Sequence, residues 1–209
     1  QGFTIPKQLI TAENKQCLEW SLESFKTEDF NLIFIIRNEH KINYALDEIL
    51  KSKYGSGTSV ITINEMTRGS VESCLFAEEL IDNDTPLTIF TMDVMFSPIL
   101  SARDLQTDKD AMLLAFKSNS PNYSYAQCDD ECKVIRTAEK EVISDRALVG
   151  VYHFKSGSTF VRNAKLMIEK NITSKNEFYI APLYNLLIKE GLEVGIKDVS
   201  EMHLFGTPE

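Results

Sequence analysis

The sequence is poor in glycine, in histidine and in long apolar runs, and each shortage removes a class of protein. Nine glycines in 209 residues leave no low-complexity stretch and no flexible linker. No internal repeat is visible either. No apolar run approaches the roughly 20 residues that a membrane-spanning helix needs, so no membrane partner is expected. The N-terminus carries no signal-peptide pattern, and the expected location is the cytoplasm. The three histidines, His40, His153 and His203, have no partner at a catalytic spacing. His40 is expected at the surface and His153 on a strand. A nucleophile elbow, a serine-triad spacing and an HExxH helix are all missing.

Positive charge is also short. Lys and Arg number 22 against 31 Asp and Glu, a formal net charge of −9. That excludes duplex nucleic acid as the main partner, because neutralising a phosphate backbone takes a basic surface. A single nucleotide stays open, since one or two lysines, backbone N–H groups and a divalent metal suffice to hold it. Four cysteines are present, Cys17, Cys74, Cys128 and Cys132. The last two, with Asp129 and Asp130 between them, have zinc-ligand character but no second ligand pair at useful spacing. Reduced core and loop thiols are the expectation.

What is present is periodicity. Apolar residues make up 43% of the chain, enough for one substantial core, and a single domain over 1–209 is expected. Leu18, Leu22 and Phe25 recur at helical spacing. Leu32 to Ile36 is a continuous β-branched run that suits a strand buried on both faces of a parallel sheet. A helix over His40–Lys53 with Ala45, Ile49 and Leu50 on one face follows, ended by Gly55 and Gly57. Val60, Ile61 and Ile63 predict a strand. Val71, Cys74, Leu75 and Leu80 predict a helix, and Leu87, Ile89 and Phe90 a strand. Residues 14–93 therefore read α-β-α-β-α-β, the order of a doubly wound sheet. Strands over Ala111–Phe116, Tyr123–Gln127, Lys133–Ala138 and Ala147–Phe154 come in close succession and predict a mixed or antiparallel extension. Two helical stripes follow, Phe160 to Ile168 and Ile180 to Ile188, then a strand through Val194 and Ile196. The first helix has no strand before it, and Gly206-Thr207-Pro208-Glu209 reads as a helix start. Both ends have the pattern of a cut, and the fold expected is a Rossmann-like α/β sheet, mixed but mainly parallel and flanked by helices, without its first strand.

In open parallel sheets ligands bind beyond the carboxyl ends of the strands. The strand Leu87–Thr91 delivers Asp93 to that edge, where one carboxylate can share Mg²⁺ with substrate phosphates; the ordinary alternative is an aspartate capping a turn. Thr67-Arg68-Gly69-Ser70 opens a helix, and Gly69 there permits close backbone approach beside free N–H groups. An ordinary N-cap with a tight turn is the commoner case. Lys7 follows Pro6 as a mobile cation. Glu139 and Lys140 end a strand, where they are either sugar- and phosphate-binding groups or a solvated turn.

Taken in order, Pro6-Lys7-Gln8-Leu9, Thr67–Ser70 with Leu75 and Ala77, Thr91-Met92-Asp93, Glu139-Lys140, Gly150-Val151-Tyr152-His153-Phe154 and Gly206-Thr207-Pro208-Glu209 resemble the sugar-nucleotide pyrophosphorylase, or NTP-transferase, family over nearly the whole chain. The resemblance implies a Mg²⁺-dependent nucleotidyltransferase. A phosphate oxygen of a small phosphorylated acceptor attacks the α-phosphorus of a nucleoside triphosphate, and pyrophosphate leaves. It implies that Lys7 contacts phosphate, that Asp93 holds the metal, and that Thr67, Gly69 and Ser70 face the base. Glu139 and Lys140 would meet the acceptor, with Asn119, Gly150, Glu177 and Tyr179 as neighbours. Residues 1–100 would be the nucleotide-binding half and 101–209 the acceptor-binding half. The nearest likeness is to bacterial capsule and surface-polysaccharide enzymes, one branch of which resembles the cytidylyltransferases acting on phosphorylated glutamine; CTP is favoured through that branch alone, the residues themselves leaving the base open. A homo-oligomer is compatible with this reading.

The pattern departs from the family twice. The glycine-rich G-x-G-x-R-type turn is absent, and the second metal aspartate, two residues before the glycine of the final G-x-P segment, is replaced by Leu204. Glu201 and His203 are out of step with that position. Two other readings follow: a catalytically degenerate nucleotide-binding regulatory module, or a nucleotide-sugar glycosyltransferase, whose usual Asp-x-Asp pair is here Asp93-Val94-Met95.

Overall fold

The computed structural model describes residues 5–205; the final Gly-Thr-Pro-Glu segment lies outside them. A 3₁₀ turn, Lys7–Leu9, leads into a hairpin of β1 (Thr11–Ala12) and β2 (Lys15–Gln16). Helix α1 (Cys17–Leu22) starts on a capping box between Gln16 and Glu19. It buries Leu18 and Leu22. The helix stops before Phe25, which instead joins an edge-to-face cluster with Phe30, Phe90 and Phe96.

β3 (Ile33–Arg37) and β4 (Ser59–Ile63) pair in parallel. The helix expected between them is two, α2 (Asn38–Tyr44) and α3 (Leu46–Tyr54), broken at Ala45, whose φ is 48°. The break turns Ala45 out to solvent and buries Leu46 and Leu50 instead. His40, expected at the surface, is half-buried, with its Nε2 3.5 Å from Glu39. The next helix is also split, into α4 (Ser70–Leu75) and α5 (Glu78–Ile81). Its buried residues are Val71, Ala77 and Ile81, while Leu80 is exposed.

β5 (Leu87–Phe90) is followed by β6 (Val94–Ser97), β7 (Ala111–Lys117), β8 (Ser124–Cys128), β9 (Val134–Glu139) and β10 (Arg146–Phe154). Then come α6 (Gly157–Glu169), α7 (Ile180–Lys189), β11 (Val194–Asp198) and β12 (Glu201–Leu204). β10 organises the main sheet. It pairs antiparallel with β7, with β5 through Val151 to Phe154, and with β8 through Ala147 and Tyr125. β8 and β9 form an antiparallel hairpin, and β11 adds to β7 in parallel. The expected α/β sheet flanked by helices is therefore present, with parallel ladders at β3–β4 and β7–β11 and antiparallel ones around β10. Neither β6 nor β12 is visible in the sequence pattern; they pair with each other, Val94 opposite Leu204.

Among the described residues no ladder joins β3 to β5. A cavity of about 1050 Å³ lies between them, bordered by every residue from 32 to 37 and from 85 to 92. Because side chains alternate along a strand, an unbroken run of lining residues means that the strand edges themselves form the walls. This explains why β3 buries only Phe34 and Ile36, not its whole apolar run. No helix of the described residues is long and apolar enough to cross a membrane.

Candidate active site

β5 stops where Thr91 donates its N–H to the carbonyl of Gly150, 3.1 Å away. The next residue, Met92, takes φ 54°, a left-handed conformation that a methionine adopts only when its surroundings enforce it. That kink turns Asp93 out at the strand tip. Thr91 Oγ1 donates to Asp93 Oδ1 at 3.0 Å, and Lys7 Nζ lies 3.6 Å from Asp93 Oδ2. Both partners of the ion pair are open to solvent, at 37% and 42% side-chain exposure. Such a pair is worth about 0–1 kcal/mol, so a phosphate can claim the lysine, and a metal the carboxylate, at little cost. Phe90 and Phe96, set edge to face against Phe25, support the tip from below.

Gly150, with φ 90°, faces Thr91 so closely that a Cβ there would collide with the threonine hydroxyl. Gly69, φ 136°, makes a comparable seam: a Cβ would lie 2.6 Å from the backbone N and O of Phe178. Close backbone approach was the reason to single out Gly69, and the approaching backbone is the protein's own. Phe178 donates to Arg68 O at 2.8 Å and accepts from Val71 N–H at 3.0 Å. One amide at the start of α4, that of Val71, is thereby used internally and is not free for a ligand. The Thr67 hydroxyl is likewise engaged, 2.6 Å from Ser73 Oγ. Ser70 lines the large cavity together with Gln8, Thr91 and Met92, neighbours of Lys7 and Asp93.

The Phe178 seam carries Tyr179 with it. Lys140, itself at φ 53°, donates from Nζ to Tyr179 Oη at 3.1 Å, and that hydrogen bond holds its ammonium above the usual lysine range. Glu139 is the opposite case. Burial raises its carboxyl, which accepts from the Ser124 hydroxyl. The buried Tyr152 lies near this pair: burial, first, and then the Glu139 charge push its phenol up. Glu177 is exposed beside this group and acts on both Glu139 and Lys140 by its charge. Asn119 stands apart, exposed in the loop after β7, its side chain without a hydrogen-bond partner among the described residues.

The structure thus brings together Lys7 with Asp93, and Glu139, Lys140, Glu177 and Tyr179 with one another. Gly150 and Gly69 are the seams that tie these groups to β5 and α4. Sequence reasoning missed Thr91 as the orienter of Asp93, Ser124 as the partner of Glu139, and Phe178 as the clamp. Only Thr91 had a signal, its position in Thr91-Met92-Asp93. His153, placed on β10 as expected, is buried with Nδ1 2.9 Å from Thr88 Oγ1 and its pKa pushed down to about 4 by burial.

Among the described residues no group of three or more His, Cys, Asp and Glu could hold a metal. Phe205 N–H donates to Asp93 O at 2.8 Å, and Leu204 opposes Val94. A leucine therefore stands beside Asp93. This donor set fits an Mg²⁺ that arrives with its phosphates and keeps its waters; it does not fit an ion caged by protein carboxylates.

No curated protein matches the chain significantly. Solved structures do. A nucleoside-diphosphate-sugar pyrophosphorylase from Vibrio cholerae RC9 is 27% identical, with a TM-score of 0.86 over 99% of this chain and 90% of that one. A glucose-1-phosphate thymidylyltransferase candidate from Bacillus anthracis, solved with sucrose, has 18% identity and a TM-score of 0.76, covering 97% of this chain and 82% of its own. The inositol-1-phosphate CTP transferase of T. maritima shares 11% identity and a TM-score of 0.70, over 93% and 77%. These last two speak for the fold alone. The family model described as nucleotidyl transferase matches residues 2–186, so the chain belongs to the nucleotidyl transferase family and is an enzyme of that class.

Proposed function

We propose that the chain transfers a nucleoside monophosphate from a nucleoside triphosphate to a small phosphorylated acceptor, such as a sugar phosphate, with release of pyrophosphate. The observation that carries this reading is the solvent-open Lys7–Asp93 pair at the tip of β5, 3.6 Å apart. Lys7 neutralises phosphate charge, and Asp93, oriented by Thr91, is the carboxylate toward Mg²⁺. When bound, that ion supplies charge neutralisation on the phosphates. Thr67, Gly69 and Ser70 form the base side, though the Thr67 hydroxyl serves the fold first. Lys140 and Tyr179 hold the acceptor, Glu139 accepts from its hydroxyls, and Glu177 and Asn119 flank it. Catalysis by such a set is positioning and electrostatics, with no covalent intermediate on the protein. The capsule role and the phosphoglutamine cytidylyltransferase branch are the finer form of the proposal, with CTP as its nucleotide and the cytoplasm as its compartment.

The test supplies the protein with each of the four common triphosphates, Mg²⁺ and a panel of phosphorylated acceptors, and measures pyrophosphate. Asp93→Ala is expected to lower release at least about 100-fold, with the fold intact by circular dichroism. Full activity in that variant would remove Asp93 from the metal role. Pyrophosphate release from no triphosphate and acceptor pair would overturn the reaction itself.

A further inference from the structure

The β8–β9 hairpin carries different chemistry at its two ends. Ser124 and Glu139 occupy the open end, beside the site. Cys128 and Cys132 occupy the closed end, where Asp129 donates to Lys133 O at 2.9 Å and Cys132 donates to Asp129 O at 3.1 Å. The three residues between Asp129 and Lys133 form the loop, and Cys132 is its last, at φ 61°. In a three-residue hairpin loop that left-handed position ordinarily belongs to glycine. Here it holds an exposed cysteine.

Arg146, at the start of β10, reaches over both sulfurs. Its Nη1 donates to Cys128 Sγ at 3.2 Å, and its Nη2 lies 3.9 Å from Cys132 Sγ. One planar guanidinium thus gathers two thiols that are four residues apart in the chain. A solvent-open cavity of about 500 Å³ fronts them. The remaining charged groups of that cavity are Lys117, Asp129, Asp145 and Asp198, so its charge is mixed. Cys17 is buried, and neither it nor Cys74 lines this cavity.

We propose that Cys128 and Cys132 are a thiol–disulfide exchange site, which closes to an intrachain disulfide against a small-molecule disulfide. Cys132, the exposed thiol, loses its proton to solvent and attacks one sulfur of the disulfide RSSR. The external S–S bond breaks, one RS⁻ leaves and takes up a proton, and a mixed disulfide remains on Cys132. Cys128 then loses its proton and attacks Cys132 Sγ, expelling the second RS⁻. Two protein thiols are oxidised by two electrons, and RSSR is reduced to two RSH. Arg146, whose Nε also lies 3.8 Å from Asp198 Oδ1, faces both sulfurs. Burial pushes the Cys128 thiol up and the Arg146 hydrogen bond offsets part of that rise, and a second thiol on the same guanidinium makes the first oxidation a step toward closure.

The probe is hydroxyethyl disulfide, uncharged so that the mixed charge of the cavity does not decide the outcome. The folded full chain is incubated with it, quenched in acid and alkylated. The peptide from Ser118 to Lys133 holds both cysteines after trypsin and is weighed. It is expected to lose two hydrogens and carry no adduct. Cys17 and Cys74 are expected to stay reduced. Cys128→Ser leaves the mixed disulfide on Cys132, and Cys132→Ser abolishes closure. Arg146→Gln slows modification of Cys132 about tenfold, and Arg146→Lys recovers part of the rate, with circular dichroism reporting the fold. A persistent adduct in the unsubstituted chain, no reaction at all, or pairing with Cys17 or Cys74 would each overturn the proposal. The readout is mass alone, so it stands or falls apart from the transferase reaction.

Discussion

β7 buries five of its seven residues and β10 seven of its nine, while β4 and β5 leave every residue partly open. Apolar content alone does not account for this, since three of four residues are apolar in β5 and only six of nine in β10. The difference is in their neighbours. β10 has β7 along one side and β5 or β8 along the other, with α6 and α7 packed into the same core. β3 and β5 each have one laddered side, and their other edges face the large cavity. Burial is thus set by what lies across the strand, and the Lys7–Asp93 pair sits at the tip of the less enclosed region.

Core truncation is where the two regions should differ most. Phe154, fully buried between Phe160 and Tyr184, is expected to cost about 3–5 kcal/mol on change to Ala. Ile61→Ala in β4 should cost less than half as much, because its side chain already keeps part of its exposure. Urea melts of both variants check this, and equal losses would erase the contrast.

The next effect in size is that of pH. His153 lies where the two regions meet, on β10 against Thr88 of β5. Its pKa falls from the ordinary 6.5 to about 4 because burial penalises the cation. The unfolded chain therefore binds more protons between those values. This contribution is complete above pH 6.5 and is lost as pH drops through 4, about 3 kcal/mol in all. His153→Gln should flatten stability between pH 4 and 6.5; an unchanged slope would assign it to other groups.

Gly150→Ala attacks the seam itself. The positive φ and the collision with Thr91 predict a loss of about 1–3 kcal/mol, with turnover falling more than stability explains, since Thr91 orients Asp93. An alanine variant with unchanged melting temperature and turnover would mean that the seam adapts freely. The smallest effect expected is a gain. Leu204 is 43% exposed and is the ladder partner of Val94, next to Asp93. Leu204→Asp should lower the Mg²⁺ concentration for half-maximal activity about tenfold by adding a second carboxylate, and no change would place the ion away from β12.

Much of this was legible along the chain. The runs at Leu87–Phe90 and Ala147–Phe154 carried their strand character in four to eight consecutive residues, and Asp93 announced itself by following a strand. Other features were illegible for stated reasons. The break at Ala45 follows from which face meets Phe34 and Ile36, not from helix propensity. β6 and β12 pair across about a hundred residues; only three residues separate β6 from the end of β5, and β12 has just two apolar residues, so neither separates from its surroundings. Gly69 was read as making room for a ligand, when Phe178 fills that room.

The sequence by itself determined the order of helices and strands, the acidic surface and the residue types that mark the family, because periodicity, charge and motif are properties of neighbours in the chain. Tertiary structure alone decided that Gly150 meets Thr91, that Phe178 clamps Gly69, and that Lys140 reaches Tyr179. Those meetings depend on backbones brought within hydrogen-bond distance from remote parts of the chain, and no local pattern encodes that distance.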